Sequence, residues 1–213
     1  MKNTTKDIIA DYITRYPFLE AMEGEIVAAF DTIYSSFTTG GKLLICGNGG
    51  SAADSDHIVG ELMKGFIMPR HLSEDEINKY AQFGEEGIAL AKSLQGAFPA
   101  INLGAHTALI TAIINDIGAD NIYAQQVLGY GTVNDVFLGI STSGNSKNVL
   151  NAGIVAKALG IKTVALTGKN GGRMNDLFDV IIRVPSGITD EIQNMHNAVY
   201  HLLCAILECE RWG

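Results

Sequence analysis

Two histidines, a glutamate and a glutamine in this 213-residue chain stand at spacings that suit metal and proton chemistry. His57 and Glu61 are four residues apart in a segment patterned as a helix, so one helical face carries both. Near the C-terminus, Gln193, Asn197 and His201 follow at i, i+4 and i+8, again on one face. Brought together, two imidazoles, a carboxylate and an amide suit Zn²⁺ or a similar divalent cation, with one position open for substrate. Glu61 and His201 are also natural proton carriers. Each piece alone says little. A His-x-x-x-Glu pair is more often a polar pair on a helix surface, and Gln193 with His201 describes any polar helix face. His196 lies about 100–140° of helical rotation away from that face. His71 and His106 read as structural.

Three glycine-rich loops could hold an anion. Gly47-Asn48-Gly49-Gly50-Ser51 follows the apolar run Leu43–Cys46, and Ser141-Thr142-Ser143-Gly144-Asn145-Ser146 follows Val136–Ile140. Thr167-Gly168-Lys169-Asn170-Gly171-Gly172 follows Thr163–Leu166. Glycines let a backbone approach closely, helix N-termini offer unpaired N–H groups, and hydroxyls bind phosphate oxygens without added charge. Glycine, serine and asparagine also dominate ordinary turns and caps, so one such loop decides nothing. The second loop is denser in hydroxyls than capping requires, and with the first it favours a phosphate-bearing ligand. Nucleotide readings are weak. The first loop matches G-x-G-x-x-G/A, but that fingerprint needs an acid about 20 residues on, where the chain reads Phe66-Ile67-Met68-Pro69-Arg70-His71. Gly168-Lys169 is followed by Asn170, so no Walker A loop is present.

The elements that must position these residues follow from the hydrophobic pattern. The first forty residues read as helices, with Ile8, Ile9, Tyr12 and Ile13 in one stripe and Met22, Ile26, Ala29, Phe30 and Ile33 in the next. Beyond them, Leu43–Cys46, Ala100–Leu103, Val136–Ile140, Thr163–Leu166 and Val180–Val184 are short apolar runs separated by amphipathic segments. That texture predicts a buried parallel sheet in a three-layer α/β/α sandwich, with the glycine loops at its carboxyl edge. Residues 190–210 predict a final helix. Residues 71–95 exceed a minimal plan and read as a helical insertion opened by the capping box Ser73-Glu74-Asp75-Glu76. One domain over residues 1–213 is expected.

Composition narrows the function classes. Fifteen basic against 23 acidic residues give a net charge of −8, which argues against nucleic acid and anionic membrane as partners. Hydrophobic residues at 47% and charged residues at 18% make a globular composition with no membrane-spanning run. The opening Met-Lys-Asn-Thr-Thr-Lys-Asp lacks the apolar run of a secretion signal, so a cytoplasmic protein is expected, with Cys46, Cys204 and Cys209 as reduced thiols.

The combination of Gly-Asn-Gly-Gly-Ser (47–51), Asp-His-x-x-x-Glu (56–61), Asn-Asp (115–116), Gly-Ile-Ser-Thr-Ser-Gly-Asn-Ser (139–146), Leu-Thr-Gly-Lys-Asn-Gly-Gly (166–172) and Ile-Gln-x-x-His-x-x-x-x-His (192–201) closely resembles the sugar isomerase (SIS) domain family, specifically its phosphoheptose isomerase branch. The resemblance runs over nearly the whole chain. It implies conversion of sedoheptulose 7-phosphate to D-glycero-D-manno-heptose 7-phosphate, the first step of bacterial heptose synthesis. It further implies a Zn²⁺ site at His57, Glu61, Gln193 and His201, with Glu61 moving a proton between C1 and C2 through an enediol and His201 as its acid–base partner. Substrate would be held by Asn48, Gly49, Gly50, Ser51, Glu61, Asn115, Asp116, Ser141, Thr142, Ser143, Ser146, Asp190 and Gln193. Such proteins are homotetramers whose active sites draw on neighbouring subunits. The residue types agree with that chemistry, which needs an acid and a base at adjacent carbons, stabilisation of an enediolate and a remote anchor.

Two departures bear on substrate. The family carries an arginine four residues after the glutamate matching Glu61, where this chain has Gly65, and the 71–95 segment replaces a shorter connection. The competing readings are the same reaction on another sugar phosphate, and a non-catalytic SIS protein that binds a partner such as the bacterial replication initiator. A pure binding module has no use for the His57/Glu61/Gln193/His201 set.

Overall fold

The computed structural model describes residues 1–213. Five strands form one parallel sheet: β1 (Leu43–Cys46), β2 (Ala100–Asn102), β3 (Val136–Ser141), β4 (Lys162–Gly168) and β5 (Val180–Val184), in the order β2-β1-β3-β4-β5. The five apolar runs are these strands, each within two residues of its expected ends. β1 and β3 are buried along their whole length, as strands covered on both faces must be. Leu43 pairs with both Ala100 and Val136, so β1 is central between an outward turn to β2 and the run β3-β4-β5 on its other side. The chain therefore reverses its direction of travel across the sheet at β1/β3. In an open parallel sheet, the carboxyl ends of the strands at such a switch point frame the ligand crevice.

Helices cover both faces. On one, α1 (Asn3–Arg15), α2 (Glu23–Thr38), α3 (Gly50–Met63) and the 24-residue α10 (Thr189–Trp212) pack over a 30-residue apolar core. On the other, α7 (Ala124–Tyr130), α8 (Lys147–Ala158) and α9 (Met174–Leu177) cover a 14-residue core. Between β2 and α7, α6 (Thr107–Ile117) buries only Ile113. His106 caps it, accepting from the Leu109 N–H at 3.4 Å, in keeping with a structural role. Pro17 ends the first stripe and starts a 3₁₀ segment, Pro17–Met22. No helix is long and apolar enough to cross a membrane. All three cysteines are buried and unpaired.

The insertion folds as two short helices, α4 (Glu74–Asn78) and α5 (Gly84–Ser93), with a 3₁₀ turn between them. Its capping box is closed in both directions, Glu76 N–H donating to Ser73 Oγ at 3.3 Å and Ser73 N–H to Glu76 Oε2 at 2.9 Å. An antiparallel bridge between His71 and Gln95 ties its ends together. A fully buried Arg70–Glu208 pair, 2.6 Å apart, anchors the segment that leads into it.

Candidate active site

α3 and α10 lie side by side and run the same way, since Gly50 meets Gln193 at one end and His57 meets His201 further along both. The second meeting point gathers His57, Glu61 and His201, whose ligand atoms all lie within 4.8 Å of one another. His57 Nε2 is 3.1 Å from Glu61 Oε1 and 3.3 Å from His201 Nε2. Phe66 stacks on the His201 ring, with centroids 5.5 Å apart and planes 15° from parallel. Lys64 Nζ stands 3.5 Å from Glu61 Oε2. Burial, then the neighbouring His57, pulls the His201 pKa down.

Behind the imidazoles lies a polar network. Asn197 Nδ2 donates to the Tyr200 hydroxyl at 2.6 Å, and Asn197 Oδ1 is 3.1 Å from His201 Nδ1. The Tyr200 hydroxyl is 3.1 Å from His57 Nδ1. The Asp54 carboxyl, one turn before His57 on α3, faces Tyr200 and His57, and its Oδ2 is buried without a hydrogen-bond partner. Burial pushes the Asp54 pKa up; burial and Asp54 together push the Tyr200 phenol up to about 12. The donor set fits a divalent cation. Two imidazole nitrogens and a carboxylate oxygen converge, and an orphaned carboxylate oxygen lies buried behind them.

The glycine loops occupy the switch point. Gly49, at φ +58°, turns the chain from β1 into α3, a backbone region that L-residues with a Cβ rarely adopt. Asn48 and Asn148 exchange amide hydrogen bonds of 2.9 Å across the crevice, fixing the first loop to α8. Ser141 Oγ and Ser146 Oγ are 2.9 Å apart, Ser141 buried and Ser146 half-buried, while Ser143 is exposed. The third loop is laced to the second: Gly168 N–H donates to the Thr142 carbonyl at 3.1 Å and Met174 N–H to the Gly144 carbonyl at 3.2 Å. A Cβ on Gly144 would run into the Gly171 carbonyl, so glycine is required there. The start of α3 and the start of α8 thus flank one crevice, two helix N-termini with hydroxyls between them.

The remaining expected site residues fall in three places. Ser51 is buried in the first turn of α3, and Gln193 stands over the glycine loop, its amide nitrogen 2.5 Å from where a Cβ on Gly50 would be. Asp190 is exposed in the first turn of α10. Asn115 and Asp116 lie on α6, joined to each other at 2.8 Å, exposed, and hydrogen-bonded to none of the residues above. Sequence patterning missed Asp54, Tyr200 and Phe66. Asp54 and Tyr200 sit at i−3 and i−1 to the two histidines, and only the packing of α3 on α10 gives that spacing a meaning. Phe66 precedes the insertion in a stretch with no periodic signal.

The SIS domain family model matches residues 13–95 and 82–168. The phosphoheptose isomerase of Akkermansia muciniphila is 34% identical over 213 residues, all of both chains. That of Aliarcobacter butzleri is 37% identical over 205 residues, 96% of this chain and 95% of the relative. This chain belongs to the phosphoheptose isomerase family of SIS domain proteins. The solved phosphoheptose isomerase of Neisseria gonorrhoeae shares its fold, at TM-score 0.73 and 30% identity over 94% of this chain and 95% of that one. A phosphoheptose isomerase structure from Francisella tularensis superposes equally well, at TM-score 0.73 and 30% identity over 98% and 99%. As a phosphoheptose isomerase family member, the chain has the sugar isomerase fold that its motifs implied.

Proposed function

We propose that this protein is a cytoplasmic, metal-assisted isomerase that converts sedoheptulose 7-phosphate to D-glycero-D-manno-heptose 7-phosphate in bacterial heptose synthesis. One observation carries the reading. The His57/Glu61/His201 cluster lies seven residues along α3 from the glycine–serine crevice, roughly 10 Å at 1.5 Å per residue. An extended sugar phosphate can thus reach both, its phosphate among the hydroxyls and its carbonyl end at the cluster.

In this reading Glu61 takes a proton from C1 and returns it to C2, while the hydroxyl proton passes from O1 to O2. Phosphate binding by Asn48, Gly49, Gly50, Ser51, Ser141, Thr142, Ser143 and Ser146 aligns the reacting carbons. Asn115, Asp116 and Asp190 complete the sugar contacts, Asn115 and Asp116 from a neighbouring subunit of a homotetramer with shared sites. His57, Glu61 and His201, with Gln193, would hold a Zn²⁺ ion. When bound, the ion supplies Lewis-acid stabilisation of the enediolate oxygens. Two roles are open to His201, ligand and acid–base partner, and both use Nε2.

The test is an assay of purified protein with sedoheptulose 7-phosphate, with added Zn²⁺ and with EDTA. Metal-dependent heptose formation is expected. Glu61→Gln should lower turnover by about 10²–10⁴-fold while the folded protein still binds sugar phosphate. Wild-type turnover by that variant would remove Glu61 as the base. One observation favours a second reading, the same reaction on another ketose phosphate: Gly65 donates its N–H to Gln95 Oε1 at 2.7 Å, and a Cβ there would press on Gln95 and the Met68 carbonyl. The insertion therefore closes over Gly65, the position at which the family resemblance implies an arginine.

A further inference from the structure

We propose that the edge of the sheet opposite the glycine loops carries a binding site for a small aromatic carboxylate, with Arg211 and the Trp212 indole N–H as its anion donors. A cavity of about 170 Å³ opens there, between the end of α2, the chain entering β2, the end of α10 and α4 of the insertion. Trp212 stands eleven residues beyond His201, roughly 16 Å along α10, so this cavity is separate from the imidazole cluster. Its walls are aromatic. Phe37 and Phe98 stack with centroids 4.4 Å apart, and Phe98 meets the Trp212 ring edge-on at 4.7 Å. The indole is fixed in place: the fully buried Arg70 guanidinium lies 4.7 Å from its centre, and a Cβ on Gly96 would come within 2.8 Å of its ring. Such walls keep the cavity preformed, so a ligand that enters it has little to order.

The donors that line the cavity are free. Arg211 makes no ion pair and no hydrogen bond within the chain, and neither the Trp212 indole N–H nor the Ala97 backbone N–H has an acceptor in it. The one acid among the lining residues, Glu76, already accepts from Ser73 N–H and Ser73 Oγ at 2.9 and 2.8 Å, and it forms no salt bridge with Arg211. The guanidinium is therefore left for an anion from outside, with which it forms strong charge-assisted hydrogen bonds. The nearby Glu76 charge favours a monoanion over a phosphate dianion. A volume of this size takes one ring and one carboxylate and excludes a nucleotide.

Trp212 is the single tryptophan of the chain, so one residue is both wall and reporter. Benzoate titrated into the purified protein should change Trp212 fluorescence saturably, with half-saturation at about 1 mM or below. Acetate, the charge without the ring, and benzyl alcohol, the ring without the charge, should each bind at least about 10-fold more weakly. Arg211→Gln should weaken benzoate binding by about 10–100-fold, the loss of one charged partner. Arg15→Gln, an equal charge change on α1, should leave it unaltered. Ala97→Phe fills an exposed lining position and should abolish benzoate saturation-transfer signals while the circular dichroism of the fold is kept. Absence of saturation by benzoate in wild type, or wild-type affinity in Arg211→Gln or in folded Ala97→Phe, would overturn the site. Binding of acetate or benzyl alcohol as tight as that of benzoate would overturn its assignment to an aromatic anion.

Discussion

His196 shows how one residue of a conspicuous motif can serve the core and not the chemistry. It sits five residues before His201 on α10, yet it is fully buried with both ring nitrogens unpartnered. Burial pulls its pKa down to about 4 from the ordinary 6.5, so the folded chain holds it neutral. The unfolded chain takes up a proton near pH 6.5 that the folded chain refuses until about pH 4. Its contribution to stability is therefore complete above pH 6.5 and is lost as pH falls towards 4, by at most about 3 kcal/mol. Urea unfolding midpoints at pH 7 and pH 4 should diverge less in His196→Leu than in wild type. Equal acid sensitivity in the two proteins would clear His196.

At the scale of elements, the site depends on the end of α3 being held. Arg70 Nη1 and Nη2 donate to the carbonyls of Leu62 and Glu61 at 2.6 and 2.8 Å, satisfying the last turn of the helix that carries His57 and Glu61. Its guanidinium lies 4.7 Å from the centre of the Trp212 ring, at the far end of α10. Glu208 balances the buried charge and also accepts from the N–H groups of Phe66, Ile67 and Met68 at 2.7, 2.8 and 3.2 Å. This one pair thus sets the ends of both site helices and the turn that delivers Phe66 to His201. Glu208→Leu should cost about 3–5 kcal/mol, because it strands a buried guanidinium. The double variant Arg70→Met/Glu208→Leu should regain only part of that loss, since three backbone amides stay unpaired; denaturant titration of the three proteins gives the comparison. Full recovery would mean that those amides find other partners.

For the whole molecule, α6 is the element that one chain leaves unexplained. It is apolar along its length, yet Ile114 and Ile117 are 45% and 48% exposed, and between them stand Asn115 and Asp116. An exposed apolar stripe bearing polar residues expected at the substrate is what subunits sharing sites would present to each other. Ile114→Glu with Ile117→Glu should dissociate the proposed tetramer in sedimentation analysis and abolish turnover, with the circular dichroism of the fold retained. An intact, active assembly would place the subunit contacts on another face.

The sequence by itself determined the local features. Each strand was legible because a buried parallel strand must be a short apolar run, and the capping box because it closes within four residues. The glycine loops were legible because their backbone turns demand glycine. His57 and Glu61 could be paired for the same reason, since helical geometry fixes i to i+4. What the tertiary structure decided is everything that depends on how two helices dock. It brought His201 to His57, kept Gln193 on Gly50, buried Arg70 against Glu208 across 138 residues of chain, and turned Asp54, Asn197 and Tyr200 into one network. No periodicity records the axial offset of α3 against α10. That offset comes from the packing of side chains such as Ile58, Leu62, Val199 and Leu203 into one core over the sheet, a summed property of many contacts distant in sequence.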